Sequence, residues 1–286
     1  MYQTGRRRAE PARHPGTAGN VKECCLCRHR FEAAANRPQA DTHAFIAAAN
    51  IHCKGKGVQA MSQTIVITGA NRGIGYDMAR LWKARGNHVI AVCRGPAEKK
   101  GKEDLHDLGI RVLEGYNVSK AEDVAALKEE LGDTEVDVLY NNAGIMESET
   151  LENMNFDTIE KQFEVNTLGP LRVTHALLDN LSDGARVGLM TSRMGSIEDN
   201  DSGRKYGYRI SKAGLNAAGK SLAVDLKDRG VAVAILHPGY VKTDMTGHTG
   251  HITPEQAAHR LVQRMDELNL DNTGTFWHSD GSVLPW

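Results

Sequence analysis

Thr64-Ile-Val-Ile-Thr-Gly-Ala-Asn-Arg-Gly-Ile-Gly75 joins a short apolar run to a turn that contains three glycines. The run Ile65 to Thr68 is typical of a buried strand, and a helix to about Arg85 and a second strand, His88 to Cys93, are predicted to follow. Glycine lets the backbone approach a pyrophosphate closely, and the N–H groups at a helix N-terminus favour phosphate. The context favours a dinucleotide-binding unit over a merely tight turn. The cofactor-binding residues predicted here are Gly69, Asn71, Arg72, Gly73, Ile74 and Gly75.

The end of the second strand indicates which nicotinamide cofactor is preferred. An acidic residue there would bind the ribose 2′-hydroxyl of NAD and repel the 2′-phosphate of NADP. Here the strand ends in Cys93-Arg94, and Arg72 lies in the glycine turn. Two guanidinium groups could clamp the phosphate, so the sequence favours NADP(H) over NAD(H). The alternative is that either arginine is a solvated surface charge.

From Gln63 onward, short apolar runs alternate with amphipathic stretches. This alternation predicts an α/β fold: a single doubly wound Rossmann-type domain, with a parallel sheet of about seven strands and helices on both faces. The fourth strand, Val136 to Tyr140, runs into Asn141-Asn-Ala-Gly144, whose small and amide-bearing residues suit a ligand crevice. A fifth strand is predicted from Arg186 to Thr191. The polar segment Tyr240 to Ile252 is predicted to be a substrate lid.

Local signals predict further helix boundaries. Ser119-x-x-Glu122 is a capping box that would open a helix to about Leu131, and Thr253-Pro-Glu-Gln256 is another helix start. A long amphipathic helix is predicted from Asp157 to about Asn180, with a possible break at Gly169-Pro170.

The helix predicted from about Tyr206 to Arg229 carries a pair of reactive side chains. Tyr208 and Lys212 are four residues apart and therefore share one helical face. A unit positive charge ~4 Å from a phenol, at an effective dielectric of ~20, is worth about 4 kcal/mol, so Lys212 is expected to lower the pKa of Tyr208 from its usual ~10. Such a tyrosine could exchange protons near neutrality. The alternative is an ordinary helix surface.

Residues 1 to 60 differ in composition from the rest of the chain. They carry ten Lys/Arg and four Asp/Glu, against 25 and 32 in residues 61 to 286, and the net charge of the 286 residues is −1. The acidic body gives no reason to expect nucleic-acid binding, and no apolar stretch is long enough for a membrane span. We predict that residues 1 to 60 are mostly disordered, that Met61 is the true start, and that residues 61 to 286 form the domain.

Four of the five cysteines lie in the basic extension. Cys24-x-x-Cys27 and nearby histidines could be assembled into a zinc site, but the second ligand pair lacks a recognisable spacing, so no metal site is predicted. Cys93 is expected to be packed in the core. One unpaired cysteine in the body fits a reducing, cytoplasmic location.

Several motifs of the body resemble those of the short-chain dehydrogenase/reductase family, which are single-domain nicotinamide enzymes. They occur in order, as Thr68-Gly-x-x-x-Gly-x-Gly75, Asn141-Asn-Ala-Gly144, Asn166, Ser192, Tyr208-x-x-x-Lys212 and Pro238-Gly239. One departure is Asn117-Val118, where many members have an aspartate before the hydrophobic residue that contacts adenine. An asparagine can still accept a hydrogen bond.

The resemblance implies a role for each matching residue. Tyr208 would be the general acid in reduction and the base in oxidation, Lys212 would lower its pKa and hold the nicotinamide ribose, and Ser192 would orient the substrate carbonyl. Asn166 would anchor a water that relays protons to Lys212. The family pattern places other parts of the cofactor against Asn117, Val118, Asn142, Ala143, Gly144, Pro238, Gly239, Val241 and Thr243.

A narrower resemblance rests on Thr191-Ser-Arg-Met-Gly-Ser-Ile197, His237-Pro-Gly-Tyr-Val-Lys-Thr-Asp244 and the ending Gly281-Ser-Val-Leu-Pro-Trp286. It points to the subgroup that contains C-factor and the sniffer-type carbonyl reductases. This implies an NADPH-dependent enzyme that reduces an aldehyde or ketone to an alcohol, in a homo-oligomer. The alternative is a nucleotide-binding signalling or sensor protein with little turnover. Candidate pocket residues are Met146, Met194 and Tyr240.

Overall fold

The computed structural model describes residues 62–96 and 103–286. The basic extension, its candidate zinc ligands and the predicted start at Met61 lie outside the described residues. In chain order the elements are β1 (Thr64–Thr68), α1 (Gly73–Ala84), β2 (His88–Val92), β3 (Arg111–Leu113), α2 (Ala121–Leu131), β4 (Val136–Asn141), α3 (Phe156–Phe163), a π-helical turn (Glu164–Leu168), α4 (Gly169–Ala176), β5 (Leu181–Met190), α5 (Tyr206–Asp225), β6 (Ala232–His237), α6 (Pro254–Glu267) and β7 (Phe276–His278).

The strands form a seven-stranded sheet in the order β3-β2-β1-β4-β5-β6-β7, and every pairing in it is parallel. The direction of strand addition reverses between β1 and β4, because β2 and β3 lie on one side of β1 and the later strands on the other. Parallel neighbours require crossover connections, which explains why helices lie between most successive strands. The prediction of a doubly wound Rossmann-type sheet is confirmed.

Helices cover both faces of the sheet, and successive strand residues point to opposite faces. In β1, Val66 packs in a cluster with residues of α2, α4 and α5. Its neighbours Ile65 and Ile67 pack in a second cluster with residues of α1 and α6, including Trp82 and Met265. Burial of each such side chain contributes about 1.5–3 kcal/mol, so both layers hold the central strands, whose ends form the site, in fixed positions.

The fifth strand begins earlier than its predicted start at Arg186. Val136 in β4 pairs with Leu181 in β5, whereas Val138 pairs with Arg186, so β5 bulges between these two pairs. The bulge contains the polar residues 182–184, which resemble a loop in the sequence. A bulge inserts extra residues without ending a strand, and periodicity alone does not reveal it.

The two predicted capping boxes have different outcomes. Helix α2 begins after Lys120, with no side-chain capping hydrogen bond, so the box predicted at Ser119 is wrong. The Ser119 N–H and O–H instead donate to Oδ1 of Asn117 at 3.1 and 2.9 Å. The box at Thr253 is confirmed, because Thr253 Oγ1 accepts from the Gln256 N–H at 3.2 Å and Gln256 Oε1 accepts from the Thr253 N–H at 2.9 Å.

The helix predicted from Asp157 to Asn180 begins at Phe156 and ends at Ala176. The regular α-helix is interrupted by a π-helical turn at Glu164–Leu168, which ends directly before the possible break predicted at Gly169-Pro170. Pro170 lies in the first turn of α4, where a missing N–H is tolerated. Among the described residues, no helix combines the length and the apolar character needed to cross a membrane.

Candidate active site

A cleft of about 1150 Å³ opens at the carboxyl ends of the central strands. Ligands of open α/β sheets bind where the strand order reverses, here between β1 and β4. The predicted cofactor residues that line this cleft are Gly69, Asn71, Arg72, Gly73, Ile74, Gly75, Arg94, Asn117, Val118, Asn142, Ala143, Gly144, Tyr208, Lys212, Pro238 and Thr243. Gly239 and Val241 are not among the lining residues. Val241 is buried and bridges to Ile252, and Gly239 packs near Ile252 and His278.

The glycine turn leaves no room for side chains that face the loop after β4. Gly69 has a φ of +67°, in the left-handed region that favours glycine. A Cβ at Gly75 would lie 2.4 Å from Asn142 Nδ2 and 2.5 Å from the carbonyl oxygen of Gly69. Asn142 Nδ2 donates to the carbonyls of Thr68 and Gly69 at 3.1 and 2.8 Å. This amide therefore holds the turn against the end of β4.

Helix α1 begins at Gly73, within the glycine turn, and its N-terminus has no side-chain cap. Arg72 occupies the N-cap position without a side-chain capping hydrogen bond, and the first turn contains no acidic residue. The first N–H groups of a helix and its positive dipole end favour an anion. The uncapped helix and the glycine turn together fit the pyrophosphate of a nicotinamide dinucleotide.

Two arginines line the same cleft and are exposed, Arg72 and Arg94. Arg72 Nη1 lies 3.8 Å from Asp244 Oδ2, whereas Arg94 makes no ion pair with any described residue. Asn117 Oδ1 accepts both hydrogen bonds from Ser119. This oxygen therefore orders the turn before α2, a use that differs from the adenine contact implied by the resemblance.

Tyr208, Lys212 and Ser192 meet beside the cleft, where each is buried. The Ser192 side chain lies close enough to the Tyr208 hydroxyl to lower its pKa, and Ser192 Oγ accepts from the Met194 N–H at 3.1 Å. Oγ thus accepts from Met194 and keeps its single O–H as a donor. Lys212 Nζ donates to the Met190 carbonyl at 2.7 Å and lies 5.7 Å from the centre of the Tyr208 ring.

The expected lowering of the Tyr208 pKa is wrong. Burial raises the pKa of Tyr208 to about 12, and the nearby Ser192 side chain only partly opposes this. Burial also lowers the pKa of Lys212 to about 7. The lysine is therefore only partly charged near neutrality and attracts a phenolate less than a full charge would. The i, i+4 spacing revealed the pair but did not reveal that both groups leave water on folding.

Asn166 lies in the π-helical turn, and its side chain is fully buried. Its Oδ1 accepts from the Ile145 N–H at 2.8 Å, while Nδ2 donates to the Ile145 carbonyl at 2.8 Å and to Ser211 Oγ at 3.0 Å. Both side-chain N–H groups are thus used to tie the loop after β4 to α5. Gly144 lies beside this side chain and Lys212, since a Cβ there would be 3.2 Å from Asn166 Oδ1 and 3.6 Å from Lys212 Nζ.

The segment Tyr240 to Ile252, predicted as a lid, contributes Asp244 and His248 to the cleft. His248 Nε2 lies 2.9 Å from Asp244 Oδ1, and Asp244 begins a 3₁₀ turn. Of the three candidate pocket residues, Met146 lines the cleft and Met194 and Tyr240 do not. Other lining residues, none of them predicted to line the cleft, include Tyr116, Ile145, Met190, Thr191, Asp244, Met245 and His248. In the described ranges, no three His, Cys, Asp or Glu side chains are grouped so that they could hold a metal.

Comparisons with known proteins show which family this chain belongs to. Residues 63–252 match the family model described as short chain dehydrogenase. A 1-hydroxy-2-glutathionyl-2-methyl-3-butene dehydrogenase from Rhodococcus sp. (strain AD45) is 42% identical over 229 residues, which cover 78% of this chain and 99% of the relative. The C-signal protein of Myxococcus xanthus is 41% identical over 154 residues, covering 53% of this chain and 93% of the relative.

Two solved structures extend the comparison to the fold. The carbonyl reductase Sniffer of D. melanogaster has a TM-score of 0.72 and 31% identity, covering 79% of this chain and 100% of that one. The NADPH-bound carbonyl reductase from chicken fatty liver has a TM-score of 0.71 and 27% identity, covering 79% and 99%. The chain therefore belongs to the short-chain dehydrogenase/reductase family of NAD(P)-dependent oxidoreductases and is of the C-factor and sniffer type.

Proposed function

We propose that this protein is an NADPH-dependent carbonyl reductase that converts a small or medium aldehyde or ketone to an alcohol. The observation that carries the proposal is the grouping of three buried side chains, Ser192, Tyr208 and Lys212, beside a dinucleotide-sized cleft. A signalling protein that only bound nucleotide would have no use for a buried proton donor in this position. The similarity to carbonyl reductases of known structure supports the same assignment.

The residues divide the work between binding and proton transfer. The glycine turn and the N-terminus of α1 would hold the pyrophosphate, and NADPH, when bound, supplies the hydride that reduces the carbonyl carbon. Arg72 and Arg94 would hold the 2′-phosphate, since guanidinium groups pair well with phosphate oxygens. The NADPH-bound chicken enzyme supports this choice of cofactor.

Ser192 and Tyr208 would act on the carbonyl oxygen. Ser192 is oriented by the Met194 N–H and can donate its O–H to that oxygen. Tyr208 would then transfer its phenolic proton as negative charge develops there. Because Lys212 is deprotonated more easily than an ordinary lysine, it can donate a proton to the Tyr208 phenolate and then be reprotonated from solvent. Asn166 would support this relay by fixing the loop that borders Lys212.

The Tyr208→Phe variant tests the proposal. It removes one hydroxyl and should lower kcat for carbonyl reduction by about 10²–10⁴-fold, while leaving the Kd for NADPH nearly unchanged. The assay follows NADPH oxidation against a panel of aldehydes, ketones, quinones and sugars. Tyr206→Phe is the matched control, because it removes the same group two residues earlier and should retain activity. A kcat of Tyr208→Phe equal to that of the wild type would contradict the proposed mechanism.

A second candidate is a nucleotide-binding signalling protein with little turnover, which the similarity to C-signal supports. Wild-type protein that binds NADPH but turns over no member of the panel would favour it. The Rhodococcus relative suggests one further substrate, an alcohol that carries a glutathionyl group, assayed in the oxidative direction.

A further inference from the structure

A buried carboxylate outside the cleft touches the start of the helix that carries Tyr208. Glu149 lies in the loop after β4, and only 2% of its surface is exposed. Its Oε1 accepts from Thr158 Oγ1 at 2.8 Å and from Gln162 Nε2 at 2.7 Å, both on α3. Its Oε2 accepts from the Gly207 N–H at 3.1 Å, in the first turn of α5. One side chain therefore joins three segments of the site.

Helix α5 cannot cap itself. Its N-cap residue is Lys205, which makes no side-chain capping hydrogen bond, and its first turn contains no acidic residue. A cationic side chain at a helix N-terminus has no acceptor to offer and opposes the helix dipole. The Glu149 carboxylate supplies from another segment both the acceptor and the negative charge that the helix lacks.

The backbone before α5 also depends on Glu149. Arg204 and Lys205 have φ values of 56° and 52°, in the left-handed region that non-glycine residues rarely adopt. The Lys205 N–H donates to the Glu149 carbonyl at 2.8 Å. Main-chain and side-chain atoms of Glu149 thus hold the strained approach to the helix and its first turn together.

The packing around this carboxylate is close. A Cβ at Gly207 would lie 2.4 Å from Gln162 Nε2 and 2.9 Å from the Cα of Ile159, so glycine brings α5 directly onto α3. Gln162 is itself fully buried, and its Oε1 accepts from the Glu147 N–H at 2.9 Å. Burial disfavours the Glu149 anion, but hydrogen bonds from Thr158, Gly207 and Gln162 outweigh it, so the pKa of Glu149 is lowered.

We infer that Glu149 is a positioning residue: it caps α5 across the loop and α3, and so fixes Tyr208 against Ser192. The inference rests on the proposed function of Tyr208 as proton donor. Tyr208 follows the capped Gly207 directly, and a misplacement of about 1 Å at a reacting group can cost about 10²-fold in rate. Loss of the cap should therefore reduce the chemical step more than cofactor binding, because the predicted phosphate-binding residues lie in the glycine turn, at the start of α1 and just after β2, away from α5.

The test is Glu149→Gln, which keeps the shape but replaces one acceptor oxygen with a donor, so Gly207 and Gln162 can no longer both be satisfied. We expect kcat to fall about tenfold or more, with KM and the Kd for NADPH within about twofold of wild type. Two controls separate positioning from general destabilisation. Glu152→Gln makes the same change at an exposed position. Asn180→Ala removes a buried amide that donates to the Gly132 and Thr134 carbonyls. This residue directly precedes β5, at the amino end of the strand and away from the cleft.

Amide hydrogen exchange gives a readout that does not depend on catalysis. In Glu149→Gln the amides of residues 205–209 should exchange at least about tenfold faster than in wild type, while those of β5 stay protected. Faster exchange of these amides supports the inference even if the wild type reduces no carbonyl. The missing activity would then contradict only the proposed function. Unchanged exchange, or a kcat within twofold of wild type, would overturn the inference. The inference would also be overturned if Asn180→Ala lost as much kcat as Glu149→Gln at the same decrease in Tm.

Discussion

Replacing Lys212 with methionine should change how stability depends on pH, in a direction fixed by burial. Lys212 is 3% exposed, and its Nζ donates to the Met190 carbonyl; among the described residues no acidic side chain pairs with it. Burial lowers its pKa from 10.5 to about 7. Between these values the unfolded chain binds a proton that the folded chain does not. The stability of the wild type should therefore rise as pH rises from about 7 to about 10.5.

The size of the effect follows from the shift. At about 1.36 kcal/mol per pKa unit, the buried ammonium costs up to about 5 kcal/mol below pH ~7. Between about pH 6 and about pH 9 the wild type should recover about 2.5 kcal/mol of this cost. Methionine has a similar length and no charge, so Lys212→Met lacks the dependence. Tyr208, with its pKa raised to about 12, affects stability only above pH ~10.

The assay is urea unfolding of both proteins without cofactor, at four pH values from about 6 to about 9. The free energy of unfolding of Lys212→Met should exceed that of wild type most at the lowest pH, and the difference should shrink by about 2.5 kcal/mol across the range. Lys220→Met is the control, since Lys220 lies on the exposed side of the same helix and its replacement should have the same effect at every pH. A constant difference for Lys212→Met would refute the reasoning, because it would mean that the ammonium is not desolvated by folding.

Two further predictions concern the cofactor. Gly75→Ala would place a methyl group 2.4 Å from Asn142 Nδ2. We expect a loss of about 1–3 kcal/mol in the free energy of unfolding, measured by urea unfolding, and a Kd for NADPH at least about tenfold weaker, measured by fluorescence titration. Unchanged NADPH binding would contradict the role of the turn. Arg94→Asp should weaken NADPH by about 10–100-fold, from lost charge-assisted hydrogen bonds, and NADH by no more than about threefold; equal effects on both would mean that Arg94 does not contact the 2′-phosphate.

The sequence predicts the strands and motif residues well because each rests on a local pattern. The glycine turn, the amide loop after β4 and the pair on α5 all fall around one cleft, since they lie at strand or helix ends that a parallel sheet brings to one edge. The π-helical turn at Glu164–Leu168 was not predicted, because a single widened turn barely alters helical periodicity. The two predicted capping boxes follow the same general pattern, but only the one at Thr253 also has a proline at the first helical position. At the other, Asn117 accepts from the Ser119 hydroxyl and competes with the cap.

The electrostatics of the site could not be predicted for a different reason. The direction of the Tyr208 pKa depends on how much water remains around the phenol and around Lys212, and this is a property of packing. Glu149 gave no sequence signal, because its partners on α3 and α5 are distant in the chain. Charged residues that fall in loops are usually solvated, and only tertiary structure distinguishes the buried one.

The reversal of strand order has a consequence for how the chain acquires its cleft during synthesis. Strand β1 pairs with β2 nearby in sequence, but its other neighbour is β4, and the contact that Thr64 makes with Asp137 spans 73 residues. A ribosome must therefore extrude more than half of the sheet before the first strand is flanked on both sides. Contacts of such long sequence separation slow folding, because the intervening chain loses entropy before the pairing is formed. The nascent glycine turn then has no partner in Asn142 until β4 arrives, so the turn reaches its folded form only after the first four strands have been made.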